Sequence, residues 1–210
     1  MMNLFDFAVL SFASLFVIVD PIGLIPAFLA MTQSNTVAER VRMARLASMA
    51  TFGILILSLL FGQKLLLAFG ITLPAFEIAG GVVLLLVAID MLQARRTAVK
   101  ETQEEKAEGI TKEDVAITPM GIPMLAGPGA ITAVILLSQK VTTVWHQVVL
   151  AGNILIVSAL TFLVLWIVAI HVHRISVIAL KITTRLMGLL LAAIAVQFIL
   201  NGLVVSRLLK

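Results

Sequence analysis

Six long apolar stretches follow one another along the chain, and shorter polar segments separate them. Each stretch is close to or longer than the roughly 20 residues that a helix needs to cross a bilayer. This pattern predicts an all-α membrane protein with six transmembrane helices. The stretches are Phe7–Met31, Leu46–Phe69, Leu73–Gln93, Val115–Ser138, Gln147–Ile170 and Leu186–Val205.

The composition supports a membrane location, since 61% of the 210 residues are hydrophobic, 12% are charged and the mean hydropathy is +1.14. A water-soluble protein of this length needs more polar surface. The segment Met1–Leu10 contains Asp6 but no Lys or Arg, so we expect no cleavable signal peptide and a retained first span. Cysteine is absent from the sequence, which excludes disulfides and thiolate metal ligands.

The basic residues indicate how the chain is oriented. Of the 15 Lys and Arg residues, 11 lie after the first, third and fifth stretches, in segments that we interpret as solvated loops. Loops enriched in Lys and Arg usually stay in the cytoplasm. We therefore expect a multi-pass protein of the cytoplasmic (inner) membrane with both termini outside. The net charge of +4 therefore reflects topology, and we expect no nucleic-acid partner. The 11 residues are Arg40, Arg42, Arg45, Arg95, Arg96, Lys100, Lys106, Lys112, Arg174, Lys181 and Arg185.

The two halves of the chain resemble each other. Because each half would hold three spans, an odd number, the halves must lie in opposite orientations, as in many secondary transporters. We therefore predict a first three-helix repeat (1–93), a charged cytoplasmic linker (94–114) and an inverted second repeat (115–210). With one gap, Pro21, Gly23, Ile25, Ala27 and Gln33 align with Pro128, Gly129, Ile131, Ala133 and Gln139. A shift of 107 residues pairs Gly81, Leu84 and Ala88 with Gly188, Leu191 and Ala195.

Proline and glycine interrupt the first and fourth stretches near their centres. The segment Asp20–Gly23 contains Pro21, and Pro26 follows it, so several helical hydrogen bonds cannot form there. The segment Gly127–Gly129, preceded by Pro119 and Pro123, repeats the arrangement. Unpaired backbone at this depth is tolerated only where protein buries it or where it lines a polar cavity. We therefore expect spans 1 and 4 to be broken at the membrane midplane.

Each break would leave the start of a half-helix inside the membrane, near Leu24 and near Ala130. Such ends carry free N–H groups and a positive dipole end, which suit a carboxylate, so we expect the amides of Gly23 to Ile25 and of Gly129 to Ile131 to bind one. Asp20 suits an ammonium group or a coupling cation. The alternatives are that proline and glycine only kink packed helices and that Asp20 only caps the following half-helix. The candidate substrate-binding residues are Asp20, Pro21, Gly23, Leu24, Ile25, Pro26, Gly127, Pro128, Gly129, Ala130, Ile131, Thr132 and Gln197, with Asp20 also the candidate ion-coupling residue.

Other polar residues favour structural explanations. Glu77 and Asp90 lie toward opposite ends of the third stretch, where they can reach the headgroups or a loop partner. Gln197 can bind substrate or form an interhelical hydrogen bond, and the same alternatives hold for Asn153 and Asn201. No nucleophile elbow, paired catalytic carboxylates, phosphate-binding loop or metal-ligand set is present, so we expect neither an enzyme nor a cofactor.

Two long segments around the breaks resemble the two signatures of the MarC family. They are Asp20-Pro21-Ile22-Gly23-Leu24-Ile25-Pro26-Ala27-Phe28-Leu29 and Ile122-Pro123-Met124-Leu125-Ala126-Gly127-Pro128-Gly129-Ala130-Ile131. The resemblance implies a bacterial or archaeal membrane protein of the LysE-like transporter superfamily. It also implies transport of small neutral amino acids such as alanine and glycine, which is described for some members.

The sequence thus predicts a secondary transporter, and more narrowly an exporter of small neutral amino acids driven by a proton or sodium gradient. Its partners would be the amino acid, the coupling ion and membrane lipid, while self-association into a homo-oligomer stays open. The alternatives are a metal-ion or small-solute exporter, a membrane channel or scaffold that transports nothing, and an intramembrane enzyme acting on lipid.

Overall fold

The computed structural model describes residues 3–93, 125–171 and 177–208, and its regular structure in these ranges is helical. Within them α3, α4, α6 and α7 are long and apolar enough to cross a membrane, while α1 and α5 are shorter apolar helices. The prediction of an all-helical membrane protein is therefore confirmed. The helices are α1 (Leu4–Val19), α2 (Ile25–Met31), α3 (Val37–Ala68), α4 (Leu73–Leu92), α5 (Pro128–Gln139), α6 (Val144–Ile170) and α7 (Val177–Leu208).

Helix α3 begins well before the apolar stretch that predicted it. The Thr36 hydroxyl accepts a hydrogen bond from the Glu39 amide (3.3 Å), and the Glu39 carboxylate accepts one from the Thr36 amide (2.9 Å). This capping box starts the helix at Val37. The prediction that Arg40, Arg42 and Arg45 lie in a loop is therefore wrong, because a helix can continue beyond the hydrocarbon into water.

The same correction applies to the second half of the chain. Lys181 and Arg185 lie within α7, and His146 lies within α6 instead of a preceding loop. Hydropathy marks the part of a helix inside the hydrocarbon, about 30 Å thick, whereas a helix of 32 residues such as α3 is about 48 Å long. The predicted linker 94–114, residues 115–124 with Pro119 and Pro123, and Arg174 lie outside the described residues.

The helices pack as two pairs with the shorter helices between them. Helix α4 packs along α7, α3 packs along α6, and α1 and α5 contact each other as well as members of these pairs. Helices α3 and α5 run in the same direction, since Gln63 near the end of α3 donates to the Ser138 hydroxyl near the end of α5 (3.3 Å). The buried core includes Leu15, Phe28, Val134 and Leu191. Helix α5 is therefore mostly buried between the pairs, whereas the first part of α1 is exposed at Phe5 and Val9.

Asn153 connects α6 to α1 through hydrogen bonds. Its side-chain amide donates to the Ala8 carbonyl (2.9 Å) and to the Ser11 hydroxyl (2.7 Å), which is the interhelical alternative. We expect Asn153→Ala to lower the free energy of unfolding by about 0.6–1.7 kcal/mol, from the average to the maximum measured for hydrogen bonds between membrane helices. Thermal unfolding of the purified protein would measure this loss. A wild-type melting temperature would show that these bonds add no stability.

Candidate functional site

The chain leaves its helical path at Asp20. Helix α1 ends at Val19, and Asp20 adopts the left-handed conformation (φ 47°, ψ 63°) while its amide donates to the Phe16 carbonyl (3.0 Å). Aspartate tolerates this conformation better than most residues, and Pro21 cannot donate the next helical hydrogen bond. One turn then separates α1 from α2, which begins at Ile25. The predicted interruption of the first span is therefore present.

Asp20 also organises the turn that follows it. Its Oδ1 accepts a hydrogen bond from the Gly23 amide (3.0 Å), and its carbonyl accepts one from the Leu24 amide (3.2 Å). The Ile25 amide donates to the Ile22 carbonyl (3.1 Å). The capping interpretation of Asp20 thus describes its local contacts. The prediction that the amides of Gly23, Leu24 and Ile25 are free for a substrate carboxylate is wrong for this conformation, because the turn itself satisfies them.

The Asp20 carboxylate lies in a closely packed environment. The residue is 7% exposed, and among the described residues no basic side chain neutralises its carboxylate. A Cβ added at Gly23 would overlap the Asp20 carboxylate and would come within 2.5 Å of Met91 Cε. Gly23 is therefore required for the approach of both side chains. A buried carboxylate is costly in a membrane.

The second predicted break coincides with the start of α5, and the residues before Leu125 that would form the preceding half-helix lie outside the described residues. Gly127 is extended (φ −71°, ψ 171°), Pro128 is the first helical residue, and the Ile131 amide donates to the Gly127 carbonyl (3.1 Å). The Ile131 amide is therefore not free, contrary to prediction. The amides of Gly129 and Ala130 precede this first helical donor and have no acceptor within the helix, as in the first turn of any helix. Gly129 lies so close to Leu84 of α4 that a Cβ would overlap the Leu84 side chain.

A cavity of about 60 Å³ lies at the start of α5, next to the end of α1. Four of the predicted site residues, Gly127 to Ala130, contribute to its wall, as does Ile18, two residues before Asp20. The side chains that line it are apolar, so its polarity comes from the backbone. The full lining is Ile18, Val83, Leu84, Val87, Leu125, Gly127, Pro128, Gly129, Ala130 and Leu191.

The other predicted site residues do not line this cavity. Thr132 packs against Gly80 and donates to the Pro128 carbonyl (2.8 Å), and residues 20–26 form the neighbouring turn without lining the cavity. Gln197 is exposed on α7 and donates to Asn201 (2.7 Å). The structure therefore brings Gly127–Ala130 close to the end of α1 and does not bring Gln197 to them.

Sequence reasoning missed the apolar residues of the cavity wall. In a chain this rich in apolar residues, Val83, Val87 and Ile18 give no signal that separates them from lipid-facing neighbours. Leu84 and Leu191 both line the cavity, and they are equivalent positions when the two halves of the chain are aligned with a shift of 107 residues. The internal repeat was the one signal that could have identified them.

These features define an all-helical integral membrane protein whose first span is interrupted at a buried carboxylate. The profile of MarC family integral membrane proteins matches residues 5–206. The chain belongs to this family, and the resemblance of its two signature segments is confirmed.

Curated relatives match along almost the whole chain. A UPF0056 membrane protein of Methanocaldococcus jannaschii is 36% identical over 198 residues, covering 94% of this chain and 96% of that protein. The UPF0056 membrane protein YvbG of Bacillus subtilis is 37% identical over 201 residues (95% of each chain), and YhcE of Escherichia coli is 32% identical over 205 residues (95% and 94%). No solved structure matches the chain significantly.

Proposed function

We propose that this protein is a secondary transporter that exports small neutral amino acids, such as alanine or glycine, in exchange with or together with a proton or sodium ion. The observation that carries the proposal is the cavity between the start of α5 and the end of α1, one turn from the buried Asp20. The proposed setting is the cytoplasmic membrane, with both termini outside. Family membership is consistent with a transporter-like role.

Reciprocal contacts between α4 and α7 support two inverted repeats. A Cβ at Gly81 would lie 2.8 Å from the Ala195 carbonyl oxygen, and one at Gly188 would lie 3.2 Å from the Ala88 carbonyl oxygen. The shift of 107 residues converts the first pair into the second. Such reciprocity is expected when two equivalent elements meet around a two-fold axis. The cavity, lined by the paired Leu84 and Leu191, would then lie close to that axis.

The cavity favours a small substrate with a carboxylate. Its volume of about 60 Å³ compares with the roughly 10–15 Å³ that a cavity needs to hold one water molecule, so only a small group fits without movement of the helices. The amides of Gly129 and Ala130 at the positive end of α5 would receive the carboxylate. The apolar side chains of Leu84 and Leu191 suit a short hydrocarbon side chain. The ammonium group would point toward α1 and Asp20.

Asp20 would hold the coupling ion. Its carboxylate is buried, accepts a hydrogen bond from Gly23 and has no basic partner among the described residues. Binding of a proton or sodium ion would remove the cost of the buried charge and would weaken its hold on the Gly23 amide. The ion and the geometry of the first break would thereby be linked.

Substitution of Asp20 by asparagine tests this proposal. We expect Asp20→Asn to abolish alanine flux driven by a proton or sodium gradient in proteoliposomes. Alanine counterflow, which needs substrate binding but no ion gradient, should persist. Asp90→Asn, an exposed position on α4, is the matched control and should keep wild-type flux. Gradient-driven flux that survives in Asp20→Asn would refute the coupling role. Linear, unsaturable flux in the wild type would instead indicate a channel.

A further inference from the structure

An amide side chain lies on the outward side of α7. The apolar part of α7 spans Ile178–Ser206, and Gln197 is five residues from its middle, or about 8 Å along the helix axis. That depth is within the hydrocarbon, which extends roughly 15 Å to either side of the midplane. Gln197 is exposed, and it lies half a turn round α7 from Gly188, which packs against α4. In a single molecule, the Gln197 amide would therefore face lipid tails.

Lipid tails cannot satisfy this amide. One N–H group of Gln197 donates to Asn201 Oδ1 (2.7 Å), one turn further along the same helix. Within residues 3–93, 125–171 and 177–208, the carbonyl oxygen and the other N–H group of Gln197 have no partner. An amide that enters hydrocarbon without hydrogen-bond partners loses its bonds to water and gains none in return. We therefore expect this part of α7 to be covered by a group that offers both a donor and an acceptor.

The residues around Gln197 form a seam that suits another helix. Exposed side chains recur along one face of α7 at alternating spacings of four and three residues, which is the repeat of two helices that pack side by side. A lipid-facing stripe has the same spacing, so the seam is distinguished by its central amide and by the small Ala193 one turn away. Small residues let two membrane helices approach closely, and amides form hydrogen bonds between them. The seam consists of Leu186, Leu190, Ala193, Gln197, Leu200 and Val204.

The membrane limits which group can meet Gln197. Copies of one chain insert in the same orientation, so a two-fold axis that relates two copies runs along the membrane normal. Their α7 helices are then parallel, and Gln197 lies at the same depth in both. A carboxamide is both a donor and an acceptor, so two Gln197 side chains that face each other exchange two hydrogen bonds. The seam is therefore complementary to a second copy of itself.

We propose that the protein forms a dimer in which the α7 seams of two molecules pack in parallel, with their Gln197 amides hydrogen-bonded to each other. The interface lies on the side of α7 away from α4. Leu191, which lines the cavity, is about 120° round α7 from Gln197, so each molecule keeps its own cavity. The inference concerns assembly and does not depend on the proposed transport.

Disulfide cross-linking gives a direct test, because the sequence contains no cysteine. In native membranes treated with a mild oxidant, we expect Ala193→Cys and Leu200→Cys each to give a covalent dimer, since the seams of two molecules adjoin. Leu86→Cys is the matched control. Leu86 is 60% exposed on the side of α4 opposite Gly81, which contacts α7, so this variant should stay monomeric.

Leucine in place of Gln197 tests the amide itself. Leucine has a similar size and suits lipid, so the single molecule should fold normally. We expect Gln197→Leu to raise the dissociation constant of the dimer on the order of tenfold, because two hydrogen bonds between membrane helices are lost. Gln197→Asn, which keeps the carboxamide, should stay closer to the wild type. Single-molecule photobleaching of the labelled full-length protein in vesicles, at increasing dilution, measures the dissociation constant.

Three results would overturn the proposal. Vesicles that hold only single molecules at every protein density would leave lipid as the occupant of the seam. Cross-linking of Ala193→Cys and Leu200→Cys no stronger than that of Leu86→Cys would place any interface elsewhere. A wild-type dissociation constant for Gln197→Leu would show that the amide does not hold the two molecules together.

Discussion

Alanine in place of Gly23 is expected to destabilise the protein and to abolish transport. The added Cβ would overlap the Asp20 carboxylate and would lie within 2.5 Å of Met91 Cε, so the turn must open or the carboxylate must leave the Gly23 amide. The lost hydrogen bond to a charged acceptor and the overpacking together should cost about 2–5 kcal/mol. Thermal unfolding and alanine counterflow in proteoliposomes would measure the two effects.

Gly53→Ala is the matched control for this substitution. Gly53 lies inside α3, where an added Cβ meets no atom within 4 Å. Because alanine is favoured over glycine in a helix interior by up to about 1 kcal/mol, we expect an unchanged or higher melting temperature and normal counterflow. If Gly23→Ala behaves like this control, the close packing of Asp20, Gly23 and Met91 does not exist in the membrane.

The proposed coupling role of Asp20 would link the stability of the turn to transport. As a capping residue, the carboxylate satisfies the Gly23 amide and holds the turn between α1 and α2. As the proposed ion site, it exchanges that negative charge for a bound cation or proton. A protonated or cation-bound carboxylate is a weaker acceptor for the Gly23 amide, so ion binding would loosen the turn. Under the proposed function, the capping and coupling interpretations would describe two states of the Asp20 carboxylate.

The sequence was sufficient for features that depend on local chemistry. Pro21 removes a backbone donor wherever it lies, so the break at Asp20 followed from the sequence alone. The start of α3 was predictable in principle from the Thr36 and Glu39 capping box, but hydropathy does not register it. Hydropathy measures where a helix meets hydrocarbon, and that boundary differs from the helix end.

The details of the site depend on geometry that the sequence does not contain. Whether the amides of Gly23 to Ile25 are free is decided by the left-handed conformation of Asp20, which allows the turn to satisfy them internally. The placement of Gln197 depends on the rotation of α7, since one residue shifts a helix face by about 100°. A polar residue in the middle of a span is therefore not, by itself, evidence that it faces the cavity.

The inverted-repeat hypothesis makes a prediction of comparable size at Gly81 and Gly188. A Cβ at Gly81 meets the Ala195 carbonyl oxygen at 2.8 Å, and a Cβ at Gly188 meets Met91 Cβ at 2.9 Å and the Ala88 carbonyl oxygen at 3.2 Å. Since backbone cannot rotate away as a side chain can, α4 and α7 must separate. We expect Gly81→Ala and Gly188→Ala each to lower the free energy of unfolding by about 1–3 kcal/mol.

The double variant distinguishes a shared interface from two independent contacts. If the contacts are counterparts around one axis, the first alanine already moves α4 from α7, so the double variant should cost less than the sum of the single variants. Gly152→Ala in α6, where a Cβ meets nothing within 4 Å, serves as the control and should not couple to either. A large loss for Gly81→Ala with none for Gly188→Ala would mean that the α4–α7 contact is not reciprocal, and the case for equivalent inverted halves would then lose its main structural support.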